Sequence, residues 1–263
     1  MLLENKTAVI YGAGGAIGGA VARAFAAEGA RVFLAGRSQA SLERVAAEIA
    51  SAGGAAETGL VDALDEHAVE AHAAGVAERA GGVDISFNAI SHGDVHGMPL
   101  LEMPYEDFAR PVNNAIRANF LTTRAVGRQM AKRRRGVVMG ITATTARHSI
   151  PEVGGTGVAF DAIESLWRQW AAELGPLGIR VVWLHTTGIP EAFQESGAQQ
   201  PAYGTGAPMA GEEFVGWLKS KTTLGRLTTL ADVGTTAAFV ASDRAGAMTA
   251  TGVNLSCGSV PTR

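Results

Sequence analysis

Cysteine is almost missing: Cys257 is the only one in 263 residues, so no intrachain disulfide can form. A reducing cytoplasm is the expected compartment. No run of about 18 apolar residues occurs, so no membrane span is expected, and no charged-then-apolar leader opens the chain. Neither charge sign dominates. The 22 Lys and Arg residues face 25 Asp and Glu residues, for a net charge of -3, which argues against a nucleic-acid partner. Aromatic residues make up only 6%, yet 47% of the chain is hydrophobic and 18% charged. That composition buries a sizeable core and excludes a disordered protein. Glycine is plentiful, at 34 residues, which suits tight strand-to-helix turns.

What is present alternates. Strand-like apolar runs cover residues 7–11, 31–35, 56–61, 84–88, 136–142, 179–184 and 252–256. Amphipathic, mostly Ala-rich stretches cover 16–28, 39–52, 66–80, 106–135, 157–175 and 230–242. Strand then helix, repeated, predicts an α/β fold: one doubly wound parallel sheet flanked by helices, over residues 1–263 as a single domain. Residues 186–223 break the rhythm with Gly, Pro, Gln and aromatics. A loop of that length after a strand's C-terminal end reads as a lid or substrate loop.

The first strand runs into Gly12-Ala13-Gly14-Gly15-Ala16-Ile17-Gly18 and then a helix. Such glycines let backbone N–H groups approach a pyrophosphate at a helix N-terminus, and the strand–helix context is the required one. The second strand ends Gly36-Arg37-Ser38. An acidic residue here would take the adenosine ribose hydroxyls. Arg37 instead offers a planar cation to a 2′-phosphate, with Ser38 as a second donor, which predicts NADP(H) in preference to NAD(H). Val61 and Asp62 end the third strand, where the carboxylate either accepts from the adenine amino group or caps the next helix. Asn88 and Ala89 end the fourth, with Asn88 expected to brace the sheet and line the adenosine side.

These residues in this order, together with Leu224-Gly225-Arg226-Leu227, Asp232-Val233, Phe239-Val240-Ala241-Ser242-Asp243 and Thr251-Gly252, resemble the short-chain dehydrogenase/reductase family over nearly the whole chain. The resemblance implies a seven-stranded Rossmann sheet, a nicotinamide cofactor, a homo-oligomer (dimer or tetramer) and a small-molecule substrate. It extends the cofactor cradle to Gly188 and Ile189 after the sixth strand. The family turn is commonly Thr-Gly-x-x-x-Gly-x-Gly; this chain has Tyr11 before Gly12 and Ala16 where the middle glycine would be.

The family's catalytic residues are an Asn in the helix after the fourth strand, a Ser after the fifth, and Tyr-x-x-x-Lys on the next helix. Tyr serves the carbonyl oxygen as acid/base, Lys lowers its pKa and holds the nicotinamide ribose, Ser orients the carbonyl, and Asn holds a relay water. Flanking sequence places these on Ala115, Ala143, Thr156 and Phe160, so all four are replaced. Residues 142–168 contain no Tyr and no Lys, so no shift of register restores the pair.

Substitutes are available in the same loops. Asn113 and Asn114 flank the Asn position, and Thr144 and Thr145 flank the Ser position. His148, near Arg147 and Glu152, follows the fifth strand; His92 and His96 follow the fourth; His185 ends the sixth. Histidine can protonate an alkoxide near neutral pH. Thr144, His148, Thr156 and Asn114 are the candidate catalytic residues. Asp161 would serve as a base if buried, and Tyr203 could act only by swinging in from the loop. His92-x-x-x-His96 has helical metal-ligand spacing, but Gly93 and Gly97 oppose a helix and no metal is expected. The run Lys132-Arg133-Arg134-Arg135 ends a long helix, where it offsets the helix dipole. Trp167 and Trp170 lie on a helix that is core packing or, by the resemblance, part of a dimer face. Two functions stand: an NADP(H)-dependent oxidoreductase with a non-standard proton donor, and a non-redox or catalytically silent protein on the same fold.

Overall fold

The computed structural model describes residues 1–147, 149–192 and 211–260. Seven parallel strands are found there: β1 (Thr7–Tyr11), β2 (Arg31–Gly36), β3 (Ala55–Leu60), β4 (Ile85–Asn88), β5 (Gly136–Ala143), β6 (Ile179–Thr186) and β7 (Thr251–Leu255). The helices are α1 (Ala16–Ala27), α2 (Gln39–Ser51), α3 (Glu66–Ala80), α4 (Tyr105–Arg133), α5 (Thr156–Leu174), α6 (Gly211–Ser220) and α7 (Leu230–Ala241). The strand order is β3-β2-β1-β4-β5-β6-β7. The order reverses at β1, which pairs with β2 on one side and β4 on the other. A crevice opens at the strand C-terminal ends at such a reversal, and ligands of open α/β sheets bind there.

Alternation along each strand divides the core. Ile10, Leu34, Met139 and Leu184 face one cluster, shared with Val21 and Phe25 of α1, Leu42 and Val45 of α2 and Val233 of α7. Val9, Phe33, Val138 and Trp183 face the other, shared with Val69 of α3, Val126 of α4 and Trp167 of α5. β1, β2, β5 and β6 are therefore largely apolar on both faces, as the covered centre of a parallel sheet requires. Polar side chains stop the helices from fraying. Ser38 caps α2, Asp65 caps α3, and Thr229 with Asp232 forms a reciprocal capping box on α7.

The segment 186–223 differs from the expectation of an irregular loop. Thr186 still belongs to β6, and residues 211–220 form the helix α6, carrying Glu212 and Glu213 in its first turn and Lys219 in its last. Residues 193–210, with Phe193, Tyr203 and Met209, lie outside the described residues. The basic run does more than offset a dipole. Arg134 is the left-handed C-cap of α4, while Arg133 and Arg135 each approach buried Asp84 at 3.3 Å. Trp167 is core, packed on Trp183 at 5.9 Å, whereas half-buried Trp170 meets partly exposed Phe120 at 5.6 Å. No helix among the described residues is long and apolar enough to cross a membrane.

Candidate active site

The Gly-rich turn is held mainly by backbone, with Arg44 donating to Gly14 O at 3.4 Å. Gly12 has φ +78°, and its N–H and that of Ala13 donate to Ala35 O at 2.9 and 3.2 Å. A Cβ on Gly12 would sit 2.3 Å from Ala89 O, and one on Gly18 would sit 2.3 Å from Gly12 O. Both positions are therefore closed to any side chain. Gly15 is different. A Cβ there would meet only Gly12 O, at 3.6 Å, so its outer side is open. Gly15 is also the N-cap of α1, with no side chain capping it and no acidic residue in the first turn. The leading N–H groups of α1 are left for an anion.

Over this turn lies a cavity of about 330 Å³, walled by Gly12, Gly14 and Gly15 and by Arg37, Asp62 and Asn114. Arg37 is exposed at its rim and, among the described residues, has no ion-pair partner. Ser38 is partly committed: its oxygen accepts from Ser41 N at 3.4 Å and lies 3.0 Å from Ser41 Oγ. Asp62 does not cap α3. Its Oδ1 accepts from Leu64 N at 3.0 Å and it lines the cavity, leaving the cap to Asp65. Val61 and Ala89 line the cavity as well, while Ala16, Ile17 and Gly18 lie behind its wall. Asn88 braces instead of lining: its amide donates to Asn119 Oδ1 and Thr122 Oγ1, both at 3.0 Å, tying β4 to α4. Gly188 and Ile189 follow β6 outside the cavity wall, with Ile189 buried in the α1/α7 core. The bare helix terminus and the closed glycine turn fit the pyrophosphate of a nicotinamide dinucleotide.

The four positions that the resemblance marks as catalytic lie on α4, β5 and α5. Ala115 is buried in α4, Ala143 ends β5, Thr156 opens α5 and Phe160 follows one turn later. Thr156 is buried, and its hydroxyl donates to Asp94 Oδ1 at 2.9 Å. That uses its only proton, so the 2.8 Å contact with His96 Nε2 is a donation from the imidazole. His92 lies edge-on to Phe160 at 6.1 Å. Burial pushes both imidazoles below the ordinary histidine range, with the Asp94 charge pulling partly the other way. Asn114 donates to His92 O at 3.0 Å, fixing this loop to α4. His92 and His96 sit on irregular backbone, not a helix, so their spacing is not that of a helical ligand pair. Thr144 is buried in a short 3₁₀ turn, and the neighbouring Thr145 Oγ1 is buried without a hydrogen-bond partner. His148 and Tyr203 lie outside the described residues.

Sequence reasoning missed Asp94, although it stands between the two histidines it had singled out. It also missed Glu164. Asp161 is exposed, so the burial its role as a base required is absent, and the buried carboxylate is Glu164, one turn beyond Phe160. Glu164 Oε1 accepts from Thr142 Oγ1 at 2.8 Å and lies 3.2 Å from His185 Nδ1; its Oε2 accepts from Arg147 at 3.2 Å. Burial alone would raise its pKa, but the hydrogen bonds from His185, Thr142 and Arg147 outweigh that and hold it low. The Thr156, Phe160, Glu164, Trp167 stripe, spaced four, four and three, was the available signal.

Comparison with known proteins agrees with this geometry. The family model for enoyl-(acyl carrier protein) reductase matches residues 12–259. The chain belongs to the short-chain dehydrogenase/reductase family of oxidoreductases. It is 32% identical to the uncharacterized oxidoreductase YxbG of Bacillus subtilis, over 92% of this chain and 86% of that protein. It is 27% identical to gluconate 5-dehydrogenase of Gluconobacter oxydans, over 91% of this chain and 89% of that one. Among solved structures, NAD+-bound xylitol dehydrogenase superposes with a TM-score of 0.87 at 22% identity, over 98% of this chain and all of the other. A 7α-hydroxysteroid dehydrogenase complexed with NADH and 7-oxo glycochenodeoxycholic acid superposes at 0.84 with 27% identity, over 99% and 96%.

Proposed function

We propose that the protein is an NADP(H)-dependent oxidoreductase that exchanges a hydride with a carbonyl/hydroxyl or C=C bond of an apolar small molecule, using a proton donor other than tyrosine. The observation that carries this is Arg37, a cation without an ion-pair partner among the described residues, on the rim of the cavity over the glycine turn. The structural relatives named above hold NAD+ and NADH, so the phosphate preference rests on this chain's own residue. Arg37 takes the 2′-phosphate, the α1 terminus and the Gly15 backbone take the pyrophosphate, and Asp62 with Val61 meets the adenine. The bound nicotinamide supplies or accepts the hydride.

At the reacting end, Thr156 replaces the tyrosine and draws its proton from His96 Nε2. His96 is an effective acid only when charged. Its pKa lies below the ordinary value, so carbonyl reduction should accelerate as pH falls below about 6.5 and His96→Gln should flatten that profile. Phe160 cannot hold a ribose; it keeps water from the imidazole of His92. The exposed Ile116 and Phe120 on α4 and Val158 on α5 support a homo-oligomer, dimer or tetramer, paired through that face. The single Cys257 supports a cytoplasmic setting.

A second reading, a non-redox or silent member of the family, is favoured by the replacement of all four catalytic positions. Titration of the protein with NADPH and NADH, followed by fluorescence, separates the two. Binding of NADPH at least about tenfold tighter than NADH is expected. Failure of both to bind would overturn the proposal and leave the second reading.

A further inference from the structure

With the family's lysine gone as well as its tyrosine, the sign of the charge beside the reacting position has changed. A phenol and an ammonium favour an oxygen that becomes anionic. Here the same positions carry a hydroxyl bonded to a carboxylate and a benzene ring: Thr156 donates to Asp94 Oδ1 at 2.9 Å, and Phe160 stands one turn along α5. Asp94 is exposed, and among the described residues no Lys or Arg pairs with it. The neighbouring cations are committed elsewhere, Arg110 to Asp107 and Arg147 to Glu164. Burial keeps His92 and His96 toward the neutral form, so they do not cancel the carboxylate at neutral pH. An alkoxide gains less here than from a phenol and an ammonium, its one donor path being His96 through Thr156. A cationic nitrogen gains a counter-charge from Asp94 and an apolar neighbour in Phe160, one turn from Thr156 on α5.

We propose that the corner formed by Asp94, Thr156 and Phe160 binds a cationic nitrogen, making the substrate an apolar amine or the iminium related to it by two electrons. The redox half of this inference rests on the function proposed above; the binding half does not. The chemistry balances without a protein acid. Hydride from a reduced nicotinamide adds to the iminium carbon, the C=N π pair becomes the nitrogen lone pair, and a neutral amine and oxidised nicotinamide result. In reverse, a neutral amine gives up hydride to oxidised nicotinamide and its lone pair forms the C=N bond. Asp94 stabilises the cationic partner in either direction, and His96, through Thr156, is a positioning residue for that carboxylate.

Calorimetric titration of the 263-residue chain at pH 7 and low salt, with and without NADP+, tests this. The probes are 4-phenylbutylamine, 4-phenylbutanol and 4-phenylbutyrate, alike in shape and different in charge. The amine should bind at least about tenfold tighter than the alcohol, and Asp94→Asn should abolish the preference. Phe160→Leu should weaken the amine about threefold. Equal affinities, a preference for alcohol or carboxylate, survival of the preference in Asp94→Asn, or no amine binding at millimolar concentration would each overturn the proposal. NADP+ binding read in the same experiment keeps the two ideas apart. Cofactor binding without amine preference removes only the cationic substrate, and amine preference without cofactor binding removes only the redox reading.

Discussion

The two ends of the crevice share one backbone frame and differ in what does the chemistry. At the β1–β2–β3 end, binding is built from main chain: a glycine turn that admits no Cβ at Gly12 or Gly18, a helix terminus without a cap, and one cation, Arg37. At the β5–α5 end, the candidate residues Thr144, Thr156 and Glu164 would act through side chains carried on α5 and on the turn after β5. The contrast has a physical reason. A turn in which a single methyl would meet backbone oxygen at 2.3 Å accepts almost no substitution. A side chain projecting from a rigid helix, as Thr156 and Phe160 do from α5, can be replaced without moving the backbone.

The largest effect is expected in the side-chain half, at Glu164. Glu164→Leu strands Thr142 and His185 in the core and releases Arg147 from the turn carrying Thr144. Leaving the buried Thr142 hydroxyl and His185 imidazole without their acceptor costs about 1–3 kcal/mol each, to be read from urea unfolding at pH 7. Because folding lowers the carboxyl pKa, its stabilisation is fully present above the unfolded value near 4.3 and fades as pH drops through the lower folded value. The gap between wild type and variant should therefore narrow below about pH 4. An unchanged gap would mean that Glu164 is held by shape and not by charge.

Gly18→Ala tests the other half. Its Cβ would have to displace Gly12, so about 2–3 kcal/mol of stability and most NADPH affinity should go together. Gly15→Ala sharpens the point. Its methyl has room, so folding should stay within about 0.5 kcal/mol of wild type while NADPH binding alone weakens. If Gly18→Ala bound NADPH normally, the claim that main-chain geometry governs this end would fall.

Legibility followed the same division. The parallel frame was readable because buried strands appear as short apolar runs between Ala-rich helices, and the cofactor end because glycines and Arg37 act where they stand in the chain. Asn88 was only half legible. Its place at a strand end was clear, but its partners Asn119 and Thr122 come from a helix 31 and 34 positions away. Glu164 read as an ordinary helix charge because Thr142 and His185 reach it only through the sheet, across 22 and 21 positions. Asp94 was hidden by the histidine spacing around it, which drew attention to metal. The helix α6 was obscured by Gly211, Gly216 and the irregular composition before it.

Arg37→Ala should reduce NADPH affinity about 10- to 100-fold and leave NADH affinity within about twofold, since a charge-assisted phosphate contact contributes about 1.5–3 kcal/mol. Competition titration of the two cofactors reads both numbers. Equal losses for NADPH and NADH would mean that Arg37 shapes the cavity instead of reading the phosphate, and the cofactor end would then lose its one specific side chain.

The smallest effects separate two aspartates that lie three residues apart. Asp65 accepts from Ala68 N at 3.1 Å as the α3 cap and does not line the cavity, whereas Asp62 accepts from Leu64 N at 3.0 Å and does. Losing a cap costs about 1 kcal/mol, so Asp65→Ala should lower the unfolding midpoint with NADPH affinity unchanged. Asp62→Ala loses a weaker turn contact and the proposed acceptor for the adenine amino group. It should weaken NADPH and NADH alike by about three- to tenfold, because a single hydrogen bond is worth about 0.5–1.5 kcal/mol and both cofactors carry the same adenine. The crossed result, in which Asp65→Ala weakens the cofactor and Asp62→Ala only the fold, would mean that the β3 end contributes backbone and shape alone, and that even the side chains lining the cavity are there to hold the turn.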